Sequence, residues 1–224
     1  MKSIIIAPSL LSANFACLLQ DIRACEEGGA DALHLDIMDG HFVPNITFGP
    51  QVVAAIRANT SLVLDCHLMI REPDRYVPAF VEAGANWISV HVEASTHLHR
   101  TLSQIRGLGA QAGIALNPTT PLEFAFEAAP YVDFILLMSV NPGFGGQQFI
   151  PGTIHRIKRL RQWLEMNALD IPIEVDGGIS SENATVVVQA GARILVSGAA
   201  IFSGDIKENI SSLRKAAKAE VSTK

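Results

Sequence analysis

One short pattern recurs along the chain and constrains the fold more than any other feature. A helical stretch ends in Gly-Ala, and a short apolar strand follows at once. The four copies are Gly29-Ala30, Gly84-Ala85, Gly109-Ala110 and Gly191-Ala192. Glycine at a helix end takes up the left-handed conformation that stops the helix. An almost wholly apolar strand is typical of a parallel sheet that is buried on both faces. The pattern therefore predicts alternating helices and parallel strands.

Apolar runs predict eight strands in all, and the stretches between them show helical periodicity, as in 15–27 and 154–166. The predicted strands are Ile4–Ala7, Leu33–Asp36, Leu62–His67, Trp87–His91, Gly113–Leu116, Phe134–Met138, Ile173–Asp176 and Ile194–Ser197. Eight such units in 224 residues fit a closed (β/α)₈ TIM barrel, whose size ranges upward from about 200 residues. We predict a single α/β domain over residues 1–224. The alternative is a doubly wound open sheet, which favours a Gly-x-Gly-x-x-Gly motif after its first strand. Here that strand ends in Ala7-Pro8-Ser9 instead.

Composition excludes several classes of protein. Apolar residues make up 49% of the chain and charged residues 17%, which excludes a disordered chain. The net charge is −5 and no lysine or arginine block stands out, so we expect no nucleic-acid partner and no membrane partner. The first apolar run stops at Pro8 and is too short for a signal peptide. Three cysteines without C-x-x-C spacing favour a reducing compartment, and we predict a cytoplasmic protein.

Polar side chains stand at the ends of three predicted strands. In a barrel of this kind the active site lies at the carboxyl ends of the strands. Residues two apart on a strand share a face, so His34 and Asp36 can point inward together. His67 ends the third strand and Asp176 the seventh. Two imidazoles and two carboxylates suit one divalent metal ion such as Zn, Fe, Mn or Co.

Two further carboxylates precede these residues on the same strands. Asp65 and Glu174 would lie one layer deeper in the barrel, where we expect them to orient the metal ligands.

Glycines gather after the last three strands. Strand six runs into a loop that contains Gly143, Gly145 and Gly146. The next two strands run into Gly177-Gly178 and Ser197-Gly198. Backbone N–H groups in such loops, and the start of the helix that follows, bind phosphate without a basic side chain. We therefore predict a phosphate-binding site here, and a mobile lid at 143–146.

The lysines limit the chemistry. They occur at positions 2, 158, 207, 215, 218 and 224, and no predicted strand ends in one. Because a Schiff base needs a lysine in the active site, this class of mechanism is excluded.

Several motifs, taken in order, carry a family resemblance. They are Ala7-Pro8-Ser9-Leu10-Leu11-Ser12, His34-Leu35-Asp36-Ile37-Met38-Asp39-Gly40, Phe42-Val43-Pro44-Asn45, Asp65-Cys66-His67-Leu68-Met69, Leu116-Asn117-Pro118-Thr119-Thr120-Pro121, Met138-Ser139-Val140-Asn141-Pro142-Gly143-Phe144-Gly145-Gly146-Gln147, Glu174-Val175-Asp176-Gly177-Gly178-Ile179 and Ser197-Gly198-Ala199-Ala200-Ile201-Phe202. Along nearly its whole length the chain resembles the ribulose-phosphate 3-epimerases. The resemblance implies a barrel of the ribulose-phosphate binding type. It also implies interconversion of D-ribulose 5-phosphate and D-xylulose 5-phosphate in the pentose phosphate pathway.

The resemblance also implies roles for individual residues. The metal ligands would be His34, Asp36, His67 and Asp176, and the two proton-transfer groups would be Asp36 and Asp176. The substrate-binding residues would be Ser9, Met38, His67, Met69, Met138, Gly143, Gly145, Gly146, Asp176, Gly177, Gly178, Ser197 and Gly198. Many relatives have alanine where this chain has Ser197. The three methionines would form a flexible apolar wall around the reactive intermediate. The family forms homo-oligomers, so we expect one here.

Two other functions fit the same residues. One is an epimerase for a ketohexose 6-phosphate such as allulose 6-phosphate, whose chemistry and phosphate group are shared. The other is a barrel that binds a sugar phosphate without catalysis. Such a barrel would be expected to have lost an acid or a ligand, and all four ligand positions are occupied by ligand-type residues.

Overall fold

Eight parallel strands form one sheet in the computed structural model, which describes residues 3–219. The strands are β1 (Ile5–Pro8), β2 (Ala32–Met38), β3 (Val63–Met69), β4 (Trp87–His91), β5 (Gln111–Leu116), β6 (Phe134–Met138), β7 (Ile173–Asp176) and β8 (Ile194–Ser197). Their order in the sheet is β1-β8-β7-β6-β5-β4-β3-β2. A parallel bridge from Ser9 to His34 joins the two outer strands and closes the barrel. The predicted (β/α)₈ barrel is confirmed, and the doubly wound sheet is wrong.

Helices cover the outside of the barrel between successive strands. They are α1 (Leu18–Glu27), α2 (Pro50–Arg57), α3 (Val77–Glu82), α4 (Leu98–Gly107), α5 (Glu123–Ala128), α6 (Thr153–Met166), α7 (Ala184–Gln189), α8 (Ala199–Phe202) and α9 (Ile206–Lys218). Short 3₁₀ segments occupy Leu10–Ser12, Phe15–Cys17, Pro73–Arg75, Val92–Ala94 and Ala129–Tyr131. Within residues 3–219, none of these helices combines the length and the apolar character needed to cross a membrane.

The glycines of the recurring Gly-Ala pattern stop their helices as the sequence predicts. Gly29, Gly84, Gly109 and Gly191 follow α1, α3, α4 and α7, and their φ angles lie between 80° and 118°. This left-handed conformation is open to glycine and costly for other residues. Each glycine therefore turns the chain back toward the next strand.

The strands are close to the predicted ones, with two informative differences. β4, β6, β7 and β8 have the predicted bounds, whereas β2 and β3 continue past Asp36 and His67 to Met38 and Met69. The two strands stay paired over this extension, since Met38 lies opposite Met69. The extension places a layer of methionine above the predicted ligands.

Apolar side chains fill the lower part of the barrel. Phe134 is 1% exposed and packs against Trp87, with ring centroids 5.7 Å apart. A Cβ atom at Gly113 would lie only 2.3 Å from Cζ of Phe134, so the absence of a side chain at Gly113 makes room for the ring. This plug closes the bottom of the barrel and leaves its upper end for polar residues.

Candidate active site

A cavity of about 220 Å³ opens where the strands end. It is lined by Asp36 and by most of the residues predicted to bind substrate, namely Ser9, Met38, Met69, Met138, Gly143, Gly145, Gly146, Asp176, Gly177, Gly178 and Gly198. Its lining, as far as the described residues form it, includes no lysine or arginine. Any anion held here would therefore be bound by backbone N–H groups, neutral side-chain donors such as the Ser12 and Ser180 hydroxyls, or a cation.

Strand register brings the four predicted ligands together at the base of the cavity. Asp36 on β2 lies opposite His67 on β3, and His34 lies opposite Asp65. Asp36 Oδ1 is 3.6 Å from His34 Nε2 and 3.5 Å from His67 Nδ1. Asp176 Oδ2, at the end of β7, is 4.0 Å from each of these nitrogens. Two ring nitrogens and two carboxylates thus face one point.

The chemistry of this set fits a divalent cation. His34 Nε2 and His67 Nδ1 are buried and have no hydrogen-bond partner. Buried polar atoms in proteins are almost always satisfied, so two such nitrogens that face carboxylates fit the binding of a cation between them. One ligand atom from each of His34, Asp36, His67 and Asp176 lies within 4.8 Å of the others. Mixed nitrogen and oxygen donors suit Zn, Fe, Mn or Co.

A buried carboxylate below the site orients His34. Asp65 Oδ2 lies 2.6 Å from His34 Nδ1, and Glu174 Oε1 lies 3.4 Å from the same nitrogen. Because a carboxylate can only accept, Nδ1 carries a proton and Nε2 is the nitrogen that faces the site above. Burial opposes protonation of His34, but Asp65 and Asp36 raise its pKa well above the usual value, so a cation bound above would replace a second proton on Nε2. Asp65 and Glu174 lie beneath the ligands, at the depth expected from the sequence.

The two carboxylates of the site have pKa values that differ in direction. Burial opposes ionisation of Asp36, but His34 and His67 hold the pKa of its carboxyl well below its usual range. Burial and the negative charge of Asp36 raise the pKa of Asp176 to about 7. Burial also lowers the pKa of His67 to about 4, which keeps this ring neutral. At neutral pH and without a cation, Asp36 is a carboxylate, while Asp176 can hold a proton.

Ser9 fixes the orientation of Asp36. It follows β1, and its hydroxyl donates a hydrogen bond of 2.6 Å to Asp36 Oδ2. The second oxygen, Oδ1, then faces the same point as His34 Nε2 and His67 Nδ1. A charge-assisted bond of this length is among the stronger hydrogen bonds in proteins.

The glycine loops that line the cavity pack against neighbouring segments more closely than other residues could. Gly178 has a φ of 65°, and a Cβ atom there would lie 2.5 Å from the backbone nitrogen of Phe149. Gly198 immediately precedes α8, and a Cβ there would lie 2.5 Å from Ser12 Oγ. The first N–H groups of a helix have no partner within the helix. These loops therefore present backbone donors to the cavity.

The loop after β6 lies over the cavity and is held by side-chain amides. Asn45 Nδ2 donates to Gly143 O at 2.9 Å. Gln147 Nε2 donates to the carbonyl oxygens of Asn141 and Phe144, at 2.6 and 2.8 Å. That this loop acts as a mobile lid stays a prediction.

Three predicted site residues lie behind the cavity wall rather than on its surface. His34 and His67 are fully buried beneath Asp36, so they reach the site only through one ring nitrogen each. The Ser197 hydroxyl donates to Ile179 O at 2.7 Å. Its side chain therefore braces the loop that follows β7, and contact with a ligand would involve its backbone.

Sequence reasoning missed two residues beside His67. His91 Nε2 lies 2.9 Å from His67 Nε2, and His91 Nδ1 lies 3.0 Å from Glu93 Oε2. A signal was present, because His91 ends a predicted strand just as Asp36 and Asp176 do. Its significance depends on the pairing of β3 with β4, which the sequence does not display.

Comparison with known proteins identifies the family. The model of the ribulose-phosphate 3-epimerase family matches residues 5–202. The chain belongs to this family. A ribulose-phosphate 3-epimerase from Synechocystis sp. is 53% identical over 222 residues, which cover 98% of this chain and 96% of that protein. The Bacillus subtilis epimerase is 52% identical, with 93% of this chain and 97% of that protein covered. The chloroplastic ribulose-5-phosphate-3-epimerase of Arabidopsis thaliana is 51% identical, with 95% and 77% covered.

More distant solved structures share the fold of this epimerase family member. The structure of KGPDC from Streptococcus mutans has a TM-score of 0.71 at 11% identity and covers 97% of this chain and 98% of that one. A tryptophan synthase alpha-subunit mutant from Pyrococcus furiosus has a TM-score of 0.68 at 18% identity, with 96% of each chain covered. At such low identity the likeness extends to the barrel alone.

Proposed function

We propose that this protein is an epimerase that interconverts D-ribulose 5-phosphate and D-xylulose 5-phosphate by inversion at C3, as a step of the pentose phosphate pathway. The family membership and the names of its relatives support this substrate. The three relatives above are all named for ribulose phosphate, so the ketohexose alternative is not favoured. The reaction breaks a C–H bond next to a carbonyl and passes through an enediolate.

The observation that carries the proposal is the pair of carboxylates, Asp36 and Asp176, that face one cavity from separate strands. Inversion at carbon needs a base on one face of the substrate and an acid on the other. Asp36 lies on β2 and Asp176 on β7, with β1 and β8 between them. The low pKa of Asp36 favours a carboxylate, and the pKa of about 7 of Asp176 allows it to hold a proton. Groups whose surroundings separate their pKa values in this way serve as acid and base.

In the proposed mechanism the sugar lies between these two carboxylates. The carboxylate removes the C3 proton from one face, and the carboxylic acid then delivers a proton to C3 from the opposite face. The product has the inverted configuration, and the two groups end with their protonation states exchanged. The reverse reaction starts from that exchanged state. Throughout, the Ser9 hydroxyl holds Asp36 Oδ2.

A metal ion would be held by His34, Asp36, His67 and Asp176, whose ligand atoms lie together at the base of the cavity. Zn, Fe, Mn and Co are all compatible with this set. When bound, such an ion supplies Lewis-acid stabilisation of the negative charge on the enediolate oxygens.

The rest of the cavity would bind the two ends of the substrate. The glycine loops after β6, β7 and β8 would bind the phosphate through their backbone N–H groups. Met38, Met69 and Met138 are at most 4% exposed and line the cavity. They would exclude water from the enediolate, which is otherwise open to side reactions.

Two wider expectations belong to this proposal. The three cysteines are free thiols, which agrees with the cytoplasmic location expected from the sequence. A homo-oligomer stays a prediction, and sedimentation of the purified protein would test it.

Turnover measurements test the proposed substrate and the two acids. The protein, loaded with a defined divalent metal, is assayed on D-ribulose 5-phosphate and on D-allulose 6-phosphate. We expect the larger kcat/KM on the pentose. Asp36→Asn and Asp176→Asn should each lower kcat by about 10²-fold or more. Asp74→Asn is the matched control, because Asp74 lies in the Pro73–Arg75 segment and forms an ion pair with the exposed Arg100, and it should retain full activity.

Two results would contradict the proposal. Full activity in either active-site variant would remove that carboxylate from the mechanism. A larger kcat/KM on the ketohexose phosphate would keep the mechanism and replace the substrate.

A further inference from the structure

A chain of three side chains leads away from the proposed metal site through β4. His67 faces the site through Nδ1, and its other nitrogen, Nε2, lies 2.9 Å from His91 Nε2. His91 Nδ1 lies 3.0 Å from Glu93 Oε2. His67 and His91 are both fully buried, and Glu93 lies in the 3₁₀ segment directly after β4. The three groups connect the site to the loop between β5 and α5.

Glu93 is fixed in place as an acceptor of hydrogen bonds. Its Oε1 accepts from the backbone N–H of Asn117 at 2.9 Å and from the Thr120 hydroxyl. Burial opposes ionisation, but His91 and these two donors lower the pKa of Glu93 to about 2. An ionised carboxylate has no proton to donate. The partner of Oε2, which is His91 Nδ1, must therefore carry the proton.

The proton on His91 Nδ1 determines which nitrogen is protonated in both histidine rings. With one proton on each ring, His91 has its hydrogen on Nδ1 and its lone pair on Nε2. His67 Nε2 must then donate to that lone pair, which leaves the lone pair of His67 on Nδ1. This nitrogen lies 3.5 Å from Asp36 Oδ1 and has no hydrogen-bond partner. The opposite arrangement would place two lone pairs against each other at Glu93 and a proton in the metal position.

We propose that Glu93, acting through His91, is a positioning residue that fixes His67 as its Nε2–H tautomer and so keeps Nδ1 free to bind a divalent cation. The inference rests on the proposed function only in taking His67 as a metal ligand. A ligand histidine whose other nitrogen is held by such a partner is better oriented and more basic. His34 has a separate partner in Asp65, so the two histidines are set independently and through opposite nitrogens.

Glu93→Gln tests the proposal sharply because the structure dictates which way the new amide will point. The Asn117 N–H cannot change from donor to acceptor, so the amide oxygen must take the place of Oε1. The amide NH₂ then occupies the place of Oε2 and donates to His91 Nδ1. In the variant, His91 therefore carries its hydrogen on Nε2, and His67 carries its hydrogen on Nδ1. The side chain at position 93 keeps its size, but the nitrogen of His67 that faces the metal site now carries a hydrogen and cannot bind a cation.

Two measurements report the effect, and neither depends on catalysis. Long-range ¹H–¹⁵N correlation spectra of the metal-free protein, with labelled histidine, distinguish the protonated nitrogen of each ring. Titration calorimetry with Zn²⁺ gives the affinity of the site. In wild type we expect His67 protonated on Nε2, and in the variant on Nδ1. We expect Zn²⁺ affinity to fall by about 10- to 100-fold, the usual effect of losing such a partner.

Two controls distinguish a specific effect of Glu93 on His67 from a general loss of structure. Thr120→Val removes a hydrogen bond to the same carboxylate but leaves the His91 contact, so it should keep the wild-type tautomers and Zn²⁺ affinity. In Glu93→Gln the His34 ring should remain protonated on Nδ1, since Asp65 is untouched.

The outcomes are distinct. Reversed protons on His67 and His91 with weaker Zn²⁺ binding support the proposal. Unchanged tautomers in Glu93→Gln, or equal losses of Zn²⁺ affinity in both variants, would overturn it. Wild-type protein with His67 protonated on Nδ1 would overturn it without any variant. A wild-type protein that takes up no Zn²⁺ would contradict the metal site under the proposed function, while the tautomers would still decide the role of Glu93.

Discussion

Replacing Gly113 by alanine would place a methyl group inside the contact distance of the Phe134 ring. The new Cβ would lie 2.3, 2.4 and 2.8 Å from three ring atoms, whereas carbon atoms normally pack at about 3.5–4.0 Å. The ring would have to move by about 1 Å, and it is buried against Trp87. Overpacking of this kind costs about 1–3 kcal/mol. Because the overlap is large, we expect the free energy of unfolding to fall by about 2 kcal/mol.

Urea unfolding measures this loss, and the structure supplies the controls. Gly107→Ala adds the same methyl at a helix end where nothing lies within 4 Å, so its stability should equal or exceed that of wild type. Phe134→Leu should relieve the overlap, so the double variant should be more stable than the sum of the single effects by about 1 kcal/mol. A Gly113→Ala protein within about 0.5 kcal/mol of wild type, or additive effects, would refute this account of the barrel interior.

Three further predictions concern the site. Glu93, whose pKa is lowered to about 2, stabilises the fold above its ordinary pKa of 4.5. Because Glu93 is partly exposed, solvent screens part of this effect, and we expect the urea-derived stability difference between wild type and Glu93→Gln to shrink by about 1–2 kcal/mol as pH falls from 4.5 to 2. A pH-independent difference would contradict this. Gly178→Ala would drive a Cβ to 2.5 Å from the backbone nitrogen of Phe149, so the phosphate loop should shift and raise KM by about tenfold or more, as steady-state kinetics will show. Ser9→Ala removes a 2.6 Å bond to Asp36; kcat should fall by about tenfold, equal to about 1.4 kcal/mol, and the acid limb of the pH–rate profile should move to higher pH.

The barrel could be predicted from the sequence because its signals are local. Each Gly-Ala pair stops a helix through the conformation of a single residue, and each apolar run forms a strand buried on both faces. The bounds of β4, β6, β7 and β8 follow from such runs alone. β2 and β3 are longer than predicted because Met38 and Met69 pair across the two strands, which is a contact between distant parts of the chain.

The candidate site could be predicted in part for the same reason. His34 and Asp36 share a strand, so their common orientation is a local property. The contacts of His91 and Glu93 are not local, since they depend on the neighbours that β3, β5 and the following loop provide. The tautomers of His67 and the opposite pKa directions of the two aspartates also depend on three-dimensional surroundings, and no spacing in the sequence encodes them.

Proton NMR in D₂O shows whether two carboxylates on opposite faces of the sugar exchange a proton at C3. The metal-loaded protein is mixed with D-ribulose 5-phosphate, and both sugars are followed at C3. We expect D-xylulose 5-phosphate with deuterium at C3, and we expect Asp36→Asn and Asp176→Asn each to slow its formation by about 10²-fold or more. Xylulose 5-phosphate that retains the original hydrogen at C3 in D₂O, or deuterium exchange without inversion in wild type, would contradict it.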